Sequence, residues 1–110
     1  MKILKKLMNK KIAIIGAGGH GKVVGEIALL NQYESIHFFD DKVNEIKDFP
    51  FNIIDNVAQL KNDLKSYDDF FVAIGENKVR HKMISWLREE KVKIVNLVHP
   101  KSTISKFSSL

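Results

Sequence analysis

The sequence predicts an α/β fold with a small parallel sheet covered on both faces, and three observations carry that prediction. Short apolar runs alternate with segments whose apolar residues recur at helical spacing, the order that gives parallel strands joined by right-handed crossovers. The first apolar run, Ile12 to Ile15, breaks into the glycine cluster Gly16-Ala-Gly18-Gly19-His20-Gly21, and a helical pattern follows at once. The run itself has no polar alternation, as expected of a strand buried on both sides.

Each element follows in turn. Lys11 to Ile15 reads as the first strand. After the glycine turn, Val23, Val24, Ile27, Ala28 and Leu30 keep helical spacing up to about Asn31. Ser35 to Phe39 reads as a second short strand that stops at Asp40-Asp41. Lys42 to Phe51 is polar, contains Pro50 and predicts a surface connection. Phe51 to Ile54 fits a short edge strand, and Asp55 or Asn56 can cap a helix with Val57, Leu60 and Leu64 on one face. Phe70 to Ile74 is a further buried strand ending at Gly75. Asn77 opens a helix with Val79, Met83, Trp86 and Leu87 on one side, and Val92 to Leu97 closes the series as the last strand. Four or five such strands predict half of a doubly wound sheet, a Rossmann-like three-layer α/β/α arrangement in strand order 3-2-1-4-5. The aromatics Phe38-Phe39, Phe70-Phe71 and Trp86 stand at core spacing.

A chain of 110 residues, 45% hydrophobic and 28% charged, suits one globular domain. It has no cysteine, which excludes disulfides and thiolate metal sites. His20, His37, His81 and His99 are scattered without zinc-ligand spacing, so no metal is expected. The net charge of +5 is local: residues 1–11 hold five lysines and no acid, and the remainder balances 13 basic against 13 acidic side chains. Residues 1–10 therefore read as a basic N-terminal extension, 11–100 as the folded domain, and 101–110 as a polar tail. Nucleic-acid binding is disfavoured by that neutrality. Ile3, Leu4, Leu7 and Met8 offer too little apolar surface for firm membrane association. The start lacks the continuous apolar core of a secretory signal, and no run approaches the roughly 20 residues of a membrane span, so a cytoplasmic location is expected.

Chemistry in such sheets sits beyond the carboxyl ends of the strands. Three strand ends converge there: the Gly16–Gly21 loop, Asp40-Asp41, and Gly75-Glu76-Asn77. Gly16, Gly18 and Gly21 fit G-x-G-x-x-G with a strand before, a helix after and an acid 24 residues beyond the first glycine. Glycines there let a diphosphate approach without meeting a Cβ, and the first helical N–H groups can point at the anion. Asp40 and Asp41 stand where a carboxylate can accept from ribose hydroxyls or a uracil imide N–H, one of them contacting ligand and the other facing water. Gly75 either admits ligand or only turns the chain. His20 either donates to a phosphate oxygen or packs over the turn. Lys22 and Arg80 are candidates to neutralise phosphate and equally ordinary surface charges. No nucleophile–base pair can be assembled, which favours a binding domain over a complete catalyst.

Four segments in one order, Ile14-Ile-Gly16-Ala-Gly-Gly-His-Gly-Lys-Val, Phe39-Asp40-Asp41, Phe71-Val-Ala-Ile-Gly75-Glu-Asn77-Lys-Val-Arg80 and Val95-Asn-Leu-Val-His99-Pro100, resemble the N-terminal domain of PglD/NeuD-type sugar O- and N-acyltransferases. These are bacterial sialic-acid and nucleotide-amino-sugar acetyltransferases of glycan biosynthesis. The resemblance implies that the domain binds the UDP part of a nucleotide-sugar, with Gly18, Gly19 and His20 at the diphosphate, Asp40 or Asp41 at the uridine, and Gly75 and Asn77 completing the pocket. It also implies that acetyl-CoA, the trimer contacts and a catalytic histidine belong to a C-terminal left-handed β-helix. Ser102 to Ser105 resembles the entry to that β-helix, whose coils are not in the sequence up to Leu110. The expectation is a chain that binds a UDP-linked amino sugar, takes no cofactor of its own, does not form the trimer and does not transfer acyl groups by itself. An NAD(P)-binding or nucleotide-sensing module remains the alternative that the glycine motif and acid spacing allow, and a ligand-free scaffold is a third.

Overall fold

The computed structural model of the chain describes residues 10–97. The extension up to residue 9 and the segment from 98 onward, with His99 and the polar tail, lie outside the described residues. The elements run β1 (Lys11–Ile15), α1 (Gly19–Leu30), β2 (Ser35–Phe39), β3 (Asn52–Asp55), the one-turn α2 (Val57–Leu60), a 3-10 turn (Leu64–Ser66), β4 (Asp69–Val72) and α3 (Asn77–Glu89). The strands form one parallel sheet in the order β3-β2-β1-β4.

β1 is central because it is the strand that can be buried on both faces. Ile12, Ala13, Ile14 and Ile15 are all fully buried. Alternate side chains go to opposite sides of a strand, so β1 feeds two cores. Ile12 and Ile14 join Val24 and Ala28 of α1 with Phe38, while Ala13 and Ile15 join Phe39, Leu60, Phe70, Val72 and Leu87. One face is therefore covered by α1 and the other by α2 and α3, the three-layer arrangement. The aromatics take their expected core role: Phe38 meets Phe49 edge-on at a centroid distance of 4.8 Å, on the side covered by α1.

Two elements differ from expectation. The helix after Asn56 stops after one turn at Leu60, and Leu64 falls in a separate 3-10 turn. Asn62 and Asp63 interrupt it, since short polar side chains compete for the backbone, and Asp63 has left the helical region at φ −118°, ψ 14°. The last strand is reduced to one parallel bridge, Phe70 to Ile94. The Phe70 N–H donates to Lys93 O at 2.8 Å and the Val95 N–H to Phe70 O at 2.9 Å, which places this segment fifth, outside β4.

The amino edge of the sheet holds a buried carboxylate that the sequence reading did not single out. Asp69, 2% exposed, accepts a hydrogen bond from the Tyr33 hydroxyl at 2.6 Å. Lys10 Nζ lies 3.6 Å and Lys93 Nζ 3.8 Å from its two oxygens. Burial first, and the neighbouring Asp69 carboxylate second, push the Tyr33 phenol well above its usual range.

Candidate functional site

At the opposite, carboxyl edge the chain turns out of β1 at Gly16. This residue has φ +107°, and a Cβ on it would lie 2.7 Å from the Ala73 carbonyl oxygen. Its N–H donates to Phe39 O at 2.9 Å, tying the turn to the end of β2. A Cβ on Gly21 would lie 2.6 Å from the Gly16 carbonyl oxygen, so Gly21 lets the first turn of α1 seat on the strand end. These two glycines are needed by the fold itself.

Gly18, Gly19 and Gly75 are different: a Cβ on any of them would have no heavy atom within 4 Å. Gly18 is the N-cap of α1, extended at φ −76°, ψ −162°, and no side chain caps the helix. The N-termini of α2 and α3 are closed by side chains: Asn56 accepts from Gln59 N–H at 2.9 Å and Glu76 from Val79 N–H at 2.7 Å. Helix N-termini leave N–H groups without internal acceptors and carry partial positive charge. α1 alone among these three keeps that end without a side-chain cap, beneath open space.

Beside it lies a cleft of about 480 Å³, within the size range of small-molecule sites. The glycine loop contributes Gly16 and Gly18, the end of β2 contributes Phe39, Asp40 and Asp41, and Lys42 and Ile46 follow from the next turn. Val57 closes it from α2, Ile74 from beyond β4, and Val79 and Met83 from α3. The wall is thus mainly apolar with a polar rim at one end.

Both aspartates hold backbone. Asp40 accepts from Ala17 N–H through Oδ2 and from Lys42 N–H through Oδ1, each at 2.8 Å. Asp41 accepts from Val57 N–H at 3.0 Å through Oδ1, at the start of α2.

Of the residues expected at the site, the cleft gathers Gly16, Gly18, Asp40 and Asp41. Gly19, His20, Gly21, Gly75 and Asn77 are not on its wall. Gly19 and His20 are exposed in the first turn of α1, beside the cleft, and Lys22 is exposed one residue further on from Gly21. The Asn77 side-chain oxygen accepts a hydrogen bond from the Arg80 guanidinium, so these two partner each other at the start of α3. By sequence, Val57, Val79 and Met83 stand on apolar helix faces, Ile74 ends a buried strand, and Lys42 and Ile46 fall in a surface connection, so none of them stands out as a site residue. One signal is in the sequence: Val79 opens the apolar stripe of α3 only two residues after Asn77, at the carboxyl end of the sheet, and the structure leaves it 41% exposed. Among the described residues no group of three or more His, Asp or Glu is placed to hold a metal ion. No helix of the described residues is long and apolar enough to cross a membrane.

Comparison with known proteins gives a consistent set. Residues 11–87 match the PglD N-terminal domain family. The chain is 31% identical over 106 residues to the UDP-N-acetylbacillosamine N-acetyltransferase of Bacillus subtilis (strain 168), covering 88% of this chain and 46% of that protein. Its structure is similar to the acetyltransferase domain of PglB from Neisseria gonorrhoeae FA1090, solved in complex with acetyl coenzyme A. The TM-score is 0.74 at 35% identity, covering 84% of this chain and 45% of the other. It is also similar to PerB from Caulobacter crescentus, solved in complex with CoA and GDP-perosamine. There the TM-score is 0.67 at 27% identity, covering 82% of this chain and 42% of the other. The chain thus spans less than half the length of each of these relatives.

Proposed function

Because the chain belongs to the PglD N-terminal domain family, we propose that it holds the nucleotide part of a sugar nucleotide for an acetyl-CoA-dependent sugar N-acetyltransferase. The observation that carries this reading is the uncapped N-terminus of α1, with Gly18 and Gly19 under open space, set against an apolar cleft. The diphosphate lies over Gly18 and Gly19, where backbone N–H groups and the helix dipole favour an anion. The nucleoside enters the cleft between the Asp40–Asp41 corner and Val79 and Met83. His20, exposed in the same turn, reaches the diphosphate from the solvent side. Among the described residues, those that line the cleft include no histidine, serine or cysteine. The task of residues 11–97 is accordingly to bind and present substrate, and acyl transfer with acetyl-CoA is assigned to sequence outside them.

The named relatives differ in nucleotide, one being named for a UDP-sugar and one solved with a GDP-sugar. We assign UDP to this chain, as a UDP-linked amino sugar. A thermal-shift panel of UDP, UDP-N-acetylglucosamine, GDP, CMP, NAD(H), NADPH and acetyl-CoA tests it. UDP and the UDP-sugar are expected to raise Tm in proportion to ligand concentration over Kd. No shift with millimolar UDP, together with a shift from NAD(H), would replace this reading by a dinucleotide-binding one. Gly18→Val separates site from fold: a Cβ there meets no heavy atom within 4 Å, so the chain should still fold, with Tm lowered only by the poorer N-cap, while the UDP-induced shift disappears.

A further inference from the structure

Beside the cleft, α2 and α3 leave a groove of about 290 Å³ between them. The α2 side supplies Val57, Ala58 and Lys61, and α3 supplies Lys82, Met83 and Trp86. We infer that this groove docks an acidic amphipathic helix of another protein, whose apolar side chains enter between α2 and α3 and whose carboxylates meet Lys61 and Lys82. The groove exists because its two helices differ in length. α2 is four residues long and α3 thirteen, so the apolar stripe Val79, Met83, Trp86 has no helix of matching length beside it. Val79 stays exposed, and Met83 and Trp86 are half-buried. A partner helix laid along the stripe would complete its burial, the helix-in-groove mode of recognition.

Charge selects the occupant. Lys61 and Lys82 are the ionisable residues that line the groove, and both are exposed. Lys82 belongs to a wider basic face, since Lys78, His81, Lys82 and Arg88 are exposed along α3 and no acid occurs in that helix before Glu89. Among the described residues, Lys61, Lys78, Lys82 and Arg88 are not paired with a carboxylate. Beyond residue 11 the chain balances its basic and acidic side chains, so this face is a local excess. The chain's own terminal segments do not complement it: residues 1–9 hold Lys2, Lys5 and Lys6, residues 98–110 hold Lys101 and Lys106, and neither segment has an acid. A second copy related by a twofold axis would set the same lysines against each other. An acidic helix from a different protein satisfies both the apolar stripe and the lysines.

Trp86 is the single tryptophan of the chain, so intrinsic tryptophan fluorescence reads the groove alone. The probe is a peptide of about 15 residues, long enough to hold a helix. It carries leucines along one face with glutamates beside them, and neither tryptophan nor tyrosine. Its control has lysine in place of every glutamate. Titrating the full chain with the acidic peptide is expected to move the Trp86 emission saturably to shorter wavelength and to shift the amides of Val57, Ala58, Lys61 and Met83. The lysine control should do neither, and added salt should weaken the acidic peptide. The double variant Lys61→Glu/Lys82→Glu changes two exposed side chains, and its amide spectrum checks that it is folded. It should bind the acidic peptide at least about tenfold more weakly, because two attractions become repulsions. An unchanged emission at millimolar acidic peptide, equal binding of the two peptides, or full affinity in the double variant would overturn the proposal. So would a concentration-dependent dimer whose amide shifts map to the groove, which would give this face to a second copy. Phosphatidylglycerol vesicles that move the emission where the acidic peptide does not would give it to a membrane, and the proposal would fall.

Discussion

His37 projects from β2 to the side of the sheet away from α1, with its Nδ1 2.8 Å from the Tyr67 hydroxyl and the two rings edge-on. Burial, and secondarily the charge of Lys11, lower its pKa below the usual 6.5. The folded chain therefore resists a proton that the unfolded chain accepts. The stabilising contribution is complete above about pH 6.5 and is lost as pH falls below it. The urea midpoint of the wild type should accordingly drop between pH 7.5 and 5.5, and His37→Gln should show a shallower drop. An identical drop in the variant would remove His37 as its cause. Residues at the site show how far a motif can be read. Gly16, Gly18 and Gly21 are equivalent in the pattern, yet two of them face backbone within 2.7 Å and one faces open space. The pattern identifies the turn. Which glycine is left for a ligand depends on Ala73 and on the carbonyl of Gly16, contacts that spacing does not encode. In the same way, adjacent aspartates are indistinguishable until the Ala17, Lys42 and Val57 amides are placed around them.

Among the elements, α1 is set by small residues rather than by its apolar stripe. Gly21 admits the Gly16 carbonyl, and Gly25 admits the ring of Phe51, which a Cβ would approach to 2.5 Å. Replacing a helical glycine by alanine gains about 1 kcal/mol of intrinsic propensity. Overpacking a tight contact costs roughly 1–3 kcal/mol, and the sign turns on whether the neighbour can move. At Gly21 the neighbour is main chain at the strand end, so Gly21→Ala should destabilise clearly, by about 2 kcal/mol in denaturant unfolding. At Gly25 the neighbour is a ring half-buried near the edge of the sheet, and Gly25→Ala should cost less. Equal losses, or a larger one at Gly25, would mean that the strand end yields more easily than the ring. Strand elements were legible because β1 and β2 are bounded by abrupt changes from apolar to glycine or acid. The helix after Asn56 was less so, because Leu60 and Leu64 keep helical spacing across a break made by Asn62 and Asp63. Periodicity there records two separate contacts with one core, Leu60 within it and Leu64 against it.

At the scale of the whole molecule, the two ends of the sheet are specialised. The carboxyl edge carries the uncapped helix, the open glycines and the cleft, and it leaves polar groups available. The amino edge is held by Asp69, which gathers Lys10 from before β1, Tyr33 from after α1 and Lys93 from the outermost segment. Nothing in local sequence joins these residues: β1 brings Lys10 beside β4, the start of β2 alongside β1 brings Tyr33, and the bridge from Phe70 to the outer segment brings Lys93. The Asp69 carboxylate is buried, so removing its hydrogen-bond donor leaves an under-satisfied charge, at about 1–3 kcal/mol. Tyr33→Phe should therefore lower Tm by several degrees at neutral pH, about 4–8 °C for each kcal/mol in a domain of this size. The raised Tyr33 phenol adds a pH signature with a definite sign. The unfolded phenol ionises near pH 10 while the folded one keeps its proton, so the wild-type advantage is complete below that pH and shrinks above it. The gap in urea midpoint between wild type and Tyr33→Phe should thus narrow from pH 9 to pH 11. UDP affinity at pH 7.5 should be the same in both, because the substitution lies at the edge of the sheet opposite the cleft. A matching loss of affinity would show that the two edges are coupled through β1, and the separation of stability from binding would fail.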